Sequence, residues 1–185
     1  MKSNPRLAGR ATLVLAALAG AAAGCHHSSL ELISYQDPYF PERYVWSLDT
    51  CAYRVGPTGD LHIAGRSERK TDAATTTQLL HVHVFWKPWP GKTPADDTTT
   101  TALVTYVAAN EQGVAVYRGT GFVFPRRRGG RLQVDVEAAR LHLTLRRGDI
   151  PDTLGDARVS GRLYPRADAA HTADLMRELE LRAAR

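Results

Sequence analysis

The sequence predicts an all-β fold, a single antiparallel β-sandwich or flattened barrel of about seven to nine strands, followed by one C-terminal helix. Three observations carry this expectation. Between Tyr44 and Pro165 apolar and polar residues alternate with a period of two, the pattern of strands that bury one face. Most of these segments are polar on one phase, which suits antiparallel sheets with a solvated side and not parallel sheets covered on both faces. No helical period appears until the chain has passed Pro165.

The elements follow in order. In "YVWSLDTCAYR" Tyr44, Trp46, Leu48 and Ala52 share one phase. In "DLHIAGR" Leu61, Ile63 and Gly65 do so, with Asp60, His62 and Arg66 opposite. "QLLHVHVFW" sets Leu80, Val82, Val84 and Trp86 on one face, which ends the strand on a core tryptophan. "TTALVTYVAA" and "GVAVYR" are apolar on both phases and read as central strands. "GFVF" and "RLQVDVE" flank Arg126–Gly130, a hairpin signal. The phase reverses across Ala138-Ala139, after which Leu141, Leu143 and Leu145 are the apolar set, so a bulge or a break is expected there. "DARVSGRLY" repeats the alternation on Ala157, Val159, Gly161 and Leu163. The C-terminal stretch places Ala169, Ala173, Met176, Leu179 and Ala183 near one side of a helix, with Asp168 and Asp174 early and Arg182 and Arg185 late, as the helix dipole favours.

The first residues are of another kind. Lys2, Arg6 and Arg10 precede "ATLVLAALAGAAAG", an uncharged run from Ala11 to Gly24 that is shorter than the ~20 apolar residues needed to span a bilayer. A basic start, an apolar middle and small residues before Cys25 make a secretory signal. With Ala22-Ala23-Gly24-Cys25 at its end, the segment resembles the lipobox of bacterial lipoprotein precursors. That resemblance implies cleavage between Gly24 and Cys25, a diacylglycerol thioether on the Cys25 sulfur, and a further acyl chain on the new N-terminus. Two or more chains give firm attachment, each buried CH₂ adding ~0.8 kcal/mol. It further implies residence in the cell envelope, and His26 in place of an aspartate after the cysteine is similar to outer-membrane sorting, facing the periplasm. The domain organisation expected is a signal peptide at 1–24, a tether and extended edge segment at 25–43, the β-domain at 44–165 and the helix at 166–185.

Charge and cysteine counts change once the leader is set aside. The whole chain of 185 residues carries 24 Lys and Arg against 19 Asp and Glu, a net charge of +5. Three of those cations and none of the acids lie before Cys25, so the remainder is close to neutral, and nothing marks a nucleic-acid-binding face. With Cys25 used for lipid, Cys51 has no partner for an internal disulfide and is expected as a buried free thiol.

Candidate chemistry is sparse. His81 and His83 are two apart on one strand and project to the same side; His62 and His142 also occupy polar phases, so the four are candidate ligands for zinc or copper if their strands converge. Trp89, held among prolines in "WKPWPGK", and Arg126, Arg127 and Arg128 at a hairpin tip are candidate contacts for an envelope protein, a cell-wall polymer or anionic headgroups. No nucleophile turn accompanies the serines, and Asp96-Asp97 sit together in the Thr-rich loop 92–101 instead of across a cleft. The expectation is therefore an anchored binding or structural domain without a resident cofactor, the alternative being a metal-binding or hydrolytic domain built on the histidines.

Overall fold

A computed structural model describes residues 27–37, 39–70, 74–87, 92 and 99–184. The leader, Cys25, Trp89 and Asp96-Asp97 lie outside the described residues. Among the described residues ten strands and one helix follow in order: β1 (Ser29–Ser34), β2 (Glu42–Ser47), β3 (Thr50–Val55), β4 (Leu61–Lys70), β5 (Thr75–Val84), β6 (Ala102–Ala109), β7 (Gly113–Arg128), β8 (Arg131–Gly148), β9 (Ala157–Leu163), β10 (Arg166–Ala167) and α1 (Ala169–Ala184).

The fold is mostly β with one helix, as expected, but it is not a sandwich. All ten strands form one sheet in the order β10-β3-β4-β5-β6-β7-β8-β9-β1-β2. It is mixed, since β10 runs parallel to β3 while every other pair is antiparallel. The sheet curls into a half-barrel, and its two ends meet where β2 turns into β3. There the Leu48 N–H donates to Ser28 O and the Asp49 N–H to Arg66 O, both at 2.9 Å, so one chain corner bridges β1 and β4.

Curvature replaces the second sheet for a reason visible in β7 and β8. The segments "GVAVYR" and "GFVF" are not two strands but one of 16 residues, and its partner β8 has 18. Their pairing shifts register after Val116 and after Phe122, the latter opposite Ala138, so the phase reversal in the sequence is a bulge within a continuous strand. Gly119 sits at the closest approach: a Cβ there would lie 1.6 Å from Arg140 O. A glycine at that point lets the two backbones approach closely, so the pairing runs on through it. Gly129 and Gly130, with φ of 58° and 77°, make the two-residue turn between them.

Two apolar layers result. Inside the curl, Leu30, Leu32, Trp46, Ile63, Val82, Val104, Tyr117, Val136, Leu141 and Leu163 form the main core. On the outer face, α1 lays Leu175 and Leu179 over Ala64, Leu79, Val107, Val114 and Val116. This second layer explains why β6 and β7 are apolar on both phases. Each fully buried leucine contributes ~1.5–3 kcal/mol. The helix starts at Asp168, whose Oδ1 accepts from the His171 N–H at 2.9 Å. Its buried line is Thr172, Leu175 and Leu179, one step from the expected stripe; Ala169 is exposed, because leucines at 175 and 179 bury more area than alanines.

Part of the segment before Arg43 packs on the core, as its apolar residues suggest: β1 lies between β9 and β2, with Leu30 and Leu32 buried. One further expectation needs correction. Trp86 does not end β5 in the core: the strand stops at Val84, and Phe85 and Trp86 are about half exposed, their N–H groups turned toward Thr101 O.

Candidate metal centre

The β3–β4 turn sets the first ligand. Gly56 N–H donates to Asp60 O and Gly59 N–H to Gly56 O, and Gly59 takes φ of 81°, so the loop closes tightly on itself. Gly56 also leaves room for the Asp60 side chain, since a Cβ there would come within 2.1 Å of Asp60 Oδ1. Thr58 Oγ1 donates to that same oxygen at 2.7 Å, which leaves Oδ2 aimed at the sheet.

The β4–β5 ladder supplies the imidazoles. His62 and His83 are direct register partners and His81 lies two pairs along, opposite Ala64. All three face outward, on the side that carries α1, because Leu61, Ile63, Val82 and Val84 take the inward phase. The His62 and His83 rings stack at 4.4 Å and 6° from parallel, and His62 and His81 at 5.4 Å and 11°. Both His62 Nε2 and His83 Nε2 lie 2.8 Å from Asp60 Oδ2. The ligand atoms of Asp60, His62 and His83 fall within 4.8 Å of one another. Behind them, His62 Nδ1 is 3.2 Å from His81 Nε2.

One assignment of protons satisfies every contact. His62 and His83 each donate from Nε2–H to Asp60, and His81 donates from Nε2–H to His62 Nδ1. Burial, then the neighbouring His62, His83 and Arg54, push the His81 pKa down to about 4. Burial and His83 likewise lower His62. Hydrogen bonds from Thr58 and His83 hold the Asp60 carboxyl at about 2. At neutral pH Asp60 is thus an ionised carboxylate beside a neutral His62, with a neutral His81 behind it, and an ionised carboxylate and an unprotonated imidazole are what metal ligation requires. Two imidazoles and a carboxylate are a donor set for zinc or copper, and three protein ligands leave a further coordination position open to solvent. The side chains of Asp60 and His62 are each 14% exposed, so an ion has access without the site being flooded.

The other sequence candidates separate. His142, on β8, does not join the cluster; its Nδ1 pairs with Asp156 Oδ1 at 2.8 Å in an exposed setting. Arg126 is not a free tip charge, because its NH2 lies 2.6 Å from Asp135 Oδ2, and Arg162 Nε holds the other oxygen at 2.7 Å. Arg127 and Arg128 remain exposed beside the Gly129-Gly130 turn. Cys51 is a free thiol packed against the main core, where burial raises its pKa to about 12. Asp60 is the residue missed as a ligand, although its place two before His62 on the polar phase was readable.

No helix among the described residues is long and apolar enough to cross a membrane. Compared with family models, curated proteins and solved structures, the chain matches none of them.

Proposed function

We propose that this chain is a bacterial envelope lipoprotein, anchored through Cys25 and facing the periplasm from the outer membrane, whose β-domain binds a zinc or copper ion at Asp60, His62 and His83. The observation that carries the metal reading is the approach of two stacked imidazole Nε2 atoms to one carboxylate oxygen. Binding, not turnover, is the activity assigned. The anchor rests on the basic start, the uncharged run and Ala22-Ala23-Gly24-Cys25.

Each half has its own test. The full chain, purified in neutral detergent and stripped with a chelator, is titrated with Zn²⁺ and with Cu²⁺. One equivalent is expected to bind, with binding lost in His62→Ala and His83→Ala and kept in His142→Ala. Failure of both ions to bind the parent chain removes the metal reading. For the anchor, Cys25→Ser is expected to lose the acyl mass and leave the membrane fraction; an acylated Cys25→Ser product overturns it.

A second reading places binding at the seam of the half-barrel. A cavity of about 640 Å³ opens there between β2 and β4, lined by Arg43, Trp46, Glu68, Gln78 and Tyr106. Trp46 Nε1 donates to Ser67 Oγ and stands edge-on to Tyr106 at 5.0 Å, giving an aromatic floor with a charged rim. An envelope protein or polymer segment suits that seat. Its capture by the full chain, lost in Trp46→Ala and kept in His62→Ala, favours this reading.

A further inference from the structure

The seam of the half-barrel is a gap between two strand edges. β2 ends the sheet, and its even-numbered residues turn their backbone groups toward β1, as the Leu48 N–H to Ser28 O bond marks. By the alternation of an antiparallel ladder, the N–H and C=O groups of Arg43, Val45 and Ser47 point the other way, into the seam. Across it, β3 leaves β4 at the Thr50–Arg66 pair, so the edge of β4 at Glu68 and Lys70 that turns away from β5 meets no strand among the described residues. The first ladder donor beyond that pair, Glu68 N–H, is held by a side chain instead, Asp49 Oδ2 at 2.9 Å. The cavity of about 640 Å³ lies between these edges, lined by Val45 and Ser47 on one side and Ser67 and Arg69 on the other.

The floor of the gap leaves a donor over. Ser67 Oγ accepts from Trp46 Nε1 and donates to Gln78 Oε1, and Gln78 Nε2 donates to the Tyr106 hydroxyl at 2.9 Å. Tyr106 is 5% exposed, yet its own O–H has no acceptor among the described residues. Arg69 is exposed, has no ion-pair partner among the described residues, and is near enough to act on the Tyr44 and Tyr106 hydroxyls. The open backbone groups recur at every second residue, about 7 Å apart, which is the repeat of another strand. Exposed edges accept added strands, the backbone pairing giving affinity and alternate side chains giving specificity. Building on the reading that places binding at the seam, we infer that the occupant is an extended peptide segment of a partner protein. It adds as a strand between β2 and β4 and sets an acidic side chain against Tyr106 and Arg69.

The test screens capped octapeptides against the full chain in neutral detergent, with threonine at the outward positions and the inward positions randomised. Selected peptides are expected to carry an inward aspartate or glutamate and to protect the Val45 and Ser47 amides from hydrogen exchange. Val45→Pro removes a seam donor and no β1 bond, at a side chain already 81% exposed. It is expected to weaken the selected peptide about tenfold, the loss of one hydrogen bond, while Val45→Thr binds as the parent does. Methylating alternate amide nitrogens of the peptide is expected to give a similar loss on the parent chain, whose fold is unaltered. No binder in the screen, protection confined to other strands, or full affinity both in Val45→Pro and for the methylated peptide overturns the inference. Binding lost in Trp46→Ala but kept in those two cases leaves the seam as a seat and removes the added strand. Self-association of the parent chain that Val45→Pro abolishes assigns the edge to a second copy and likewise overturns it.

Discussion

His62 and His83 face each other across the β4–β5 ladder with their rings 6° from parallel, and each sets its Nε2 2.8 Å from the same oxygen of Asp60. Stacking fixes the ring planes, and Asp60 fixes the direction in which their nitrogens point. The three candidate ligands are therefore preorganised by ordinary sheet geometry and one tight turn.

If the cluster binds a metal, His81 is expected to act as a positioning residue through His62 Nδ1, which lies 3.2 Å from its Nε2. If His62 Nε2 gives up its proton to a metal, Nδ1 must carry one, and His81 becomes the acceptor. We expect His81→Ala to weaken zinc binding about 10–100-fold, the usual cost of losing such a partner. His81→Gln, which can still accept, is expected to recover part of the loss. Calorimetric titration of both variants at several pH values checks this, and an unchanged affinity in His81→Ala would count against the role.

Acid should loosen the metal-free chain. His81 titrates at about 4 in the fold against 6.5 as a free side chain, so between those values the unfolded state binds more protons and stability rises with pH. The contribution is complete above pH 6.5 and is lost as pH falls through about 4. At ~1.4 kcal/mol per unit, it amounts to about 3 kcal/mol at most. Asp60, held at about 2, extends the loss to lower pH. Urea unfolding from pH 7 to pH 4 reads the slope, and His81→Leu is expected to flatten it.

Asp135 anchors the far end of the barrel and not the tip surface. Its side chain is 10% exposed and accepts from Arg126, Arg162 and Gln133. Asp135→Ala removes the acceptor of buried Gln133 and of two half-exposed arginines and is expected to cost about 1.5–3 kcal/mol, the range for hydrogen bonds to a charged group. Arg127→Gln and Arg128→Gln should change stability by less than about 0.5 kcal/mol. Chemical unfolding of the three variants tests the contrast.

Cys51 should be inert until the protein opens. With its thiol raised to about 12, almost no thiolate exists at neutral pH. Iodoacetamide is expected to label Cys51 only in denaturant. Rapid labelling of the native chain would show that the β3 side of the core opens locally.

Much of the strand pattern was legible, because alternation reports one buried face directly: the phases of β4, β5 and β9 stand as written in the sequence. What pattern could not supply was closure. A bulge within one strand and a break between two leave the same letters, and only the long β7–β8 pairing distinguishes them. The metal candidates divide for a related reason. His81 and His83 share a strand, so their common side was certain, whereas the pairing of His83 with His62 depends on the length of the β4–β5 turn. His142 was excluded by strand order, which alternation does not encode. Asp60 was visible on the polar phase, but the Gly56 turn that aims it is a tertiary detail.

All four side chains of the proposed metal centre come from the span between Asp60 and His83, a single hairpin with the turn that leads into it. The contacts that complete the half-barrel join residues as distant as Ser28 and Tyr164, with Tyr164 N–H donating to Ser28 Oγ. Short-range contacts form sooner than long-range ones, because less chain entropy is lost in closing the loop. The Asp60–His62–His83 cluster is therefore expected to assemble early in folding, while the two ends of the sheet are still apart. As a contiguous stretch of sequence, it is also a piece that can be moved intact onto another antiparallel sheet.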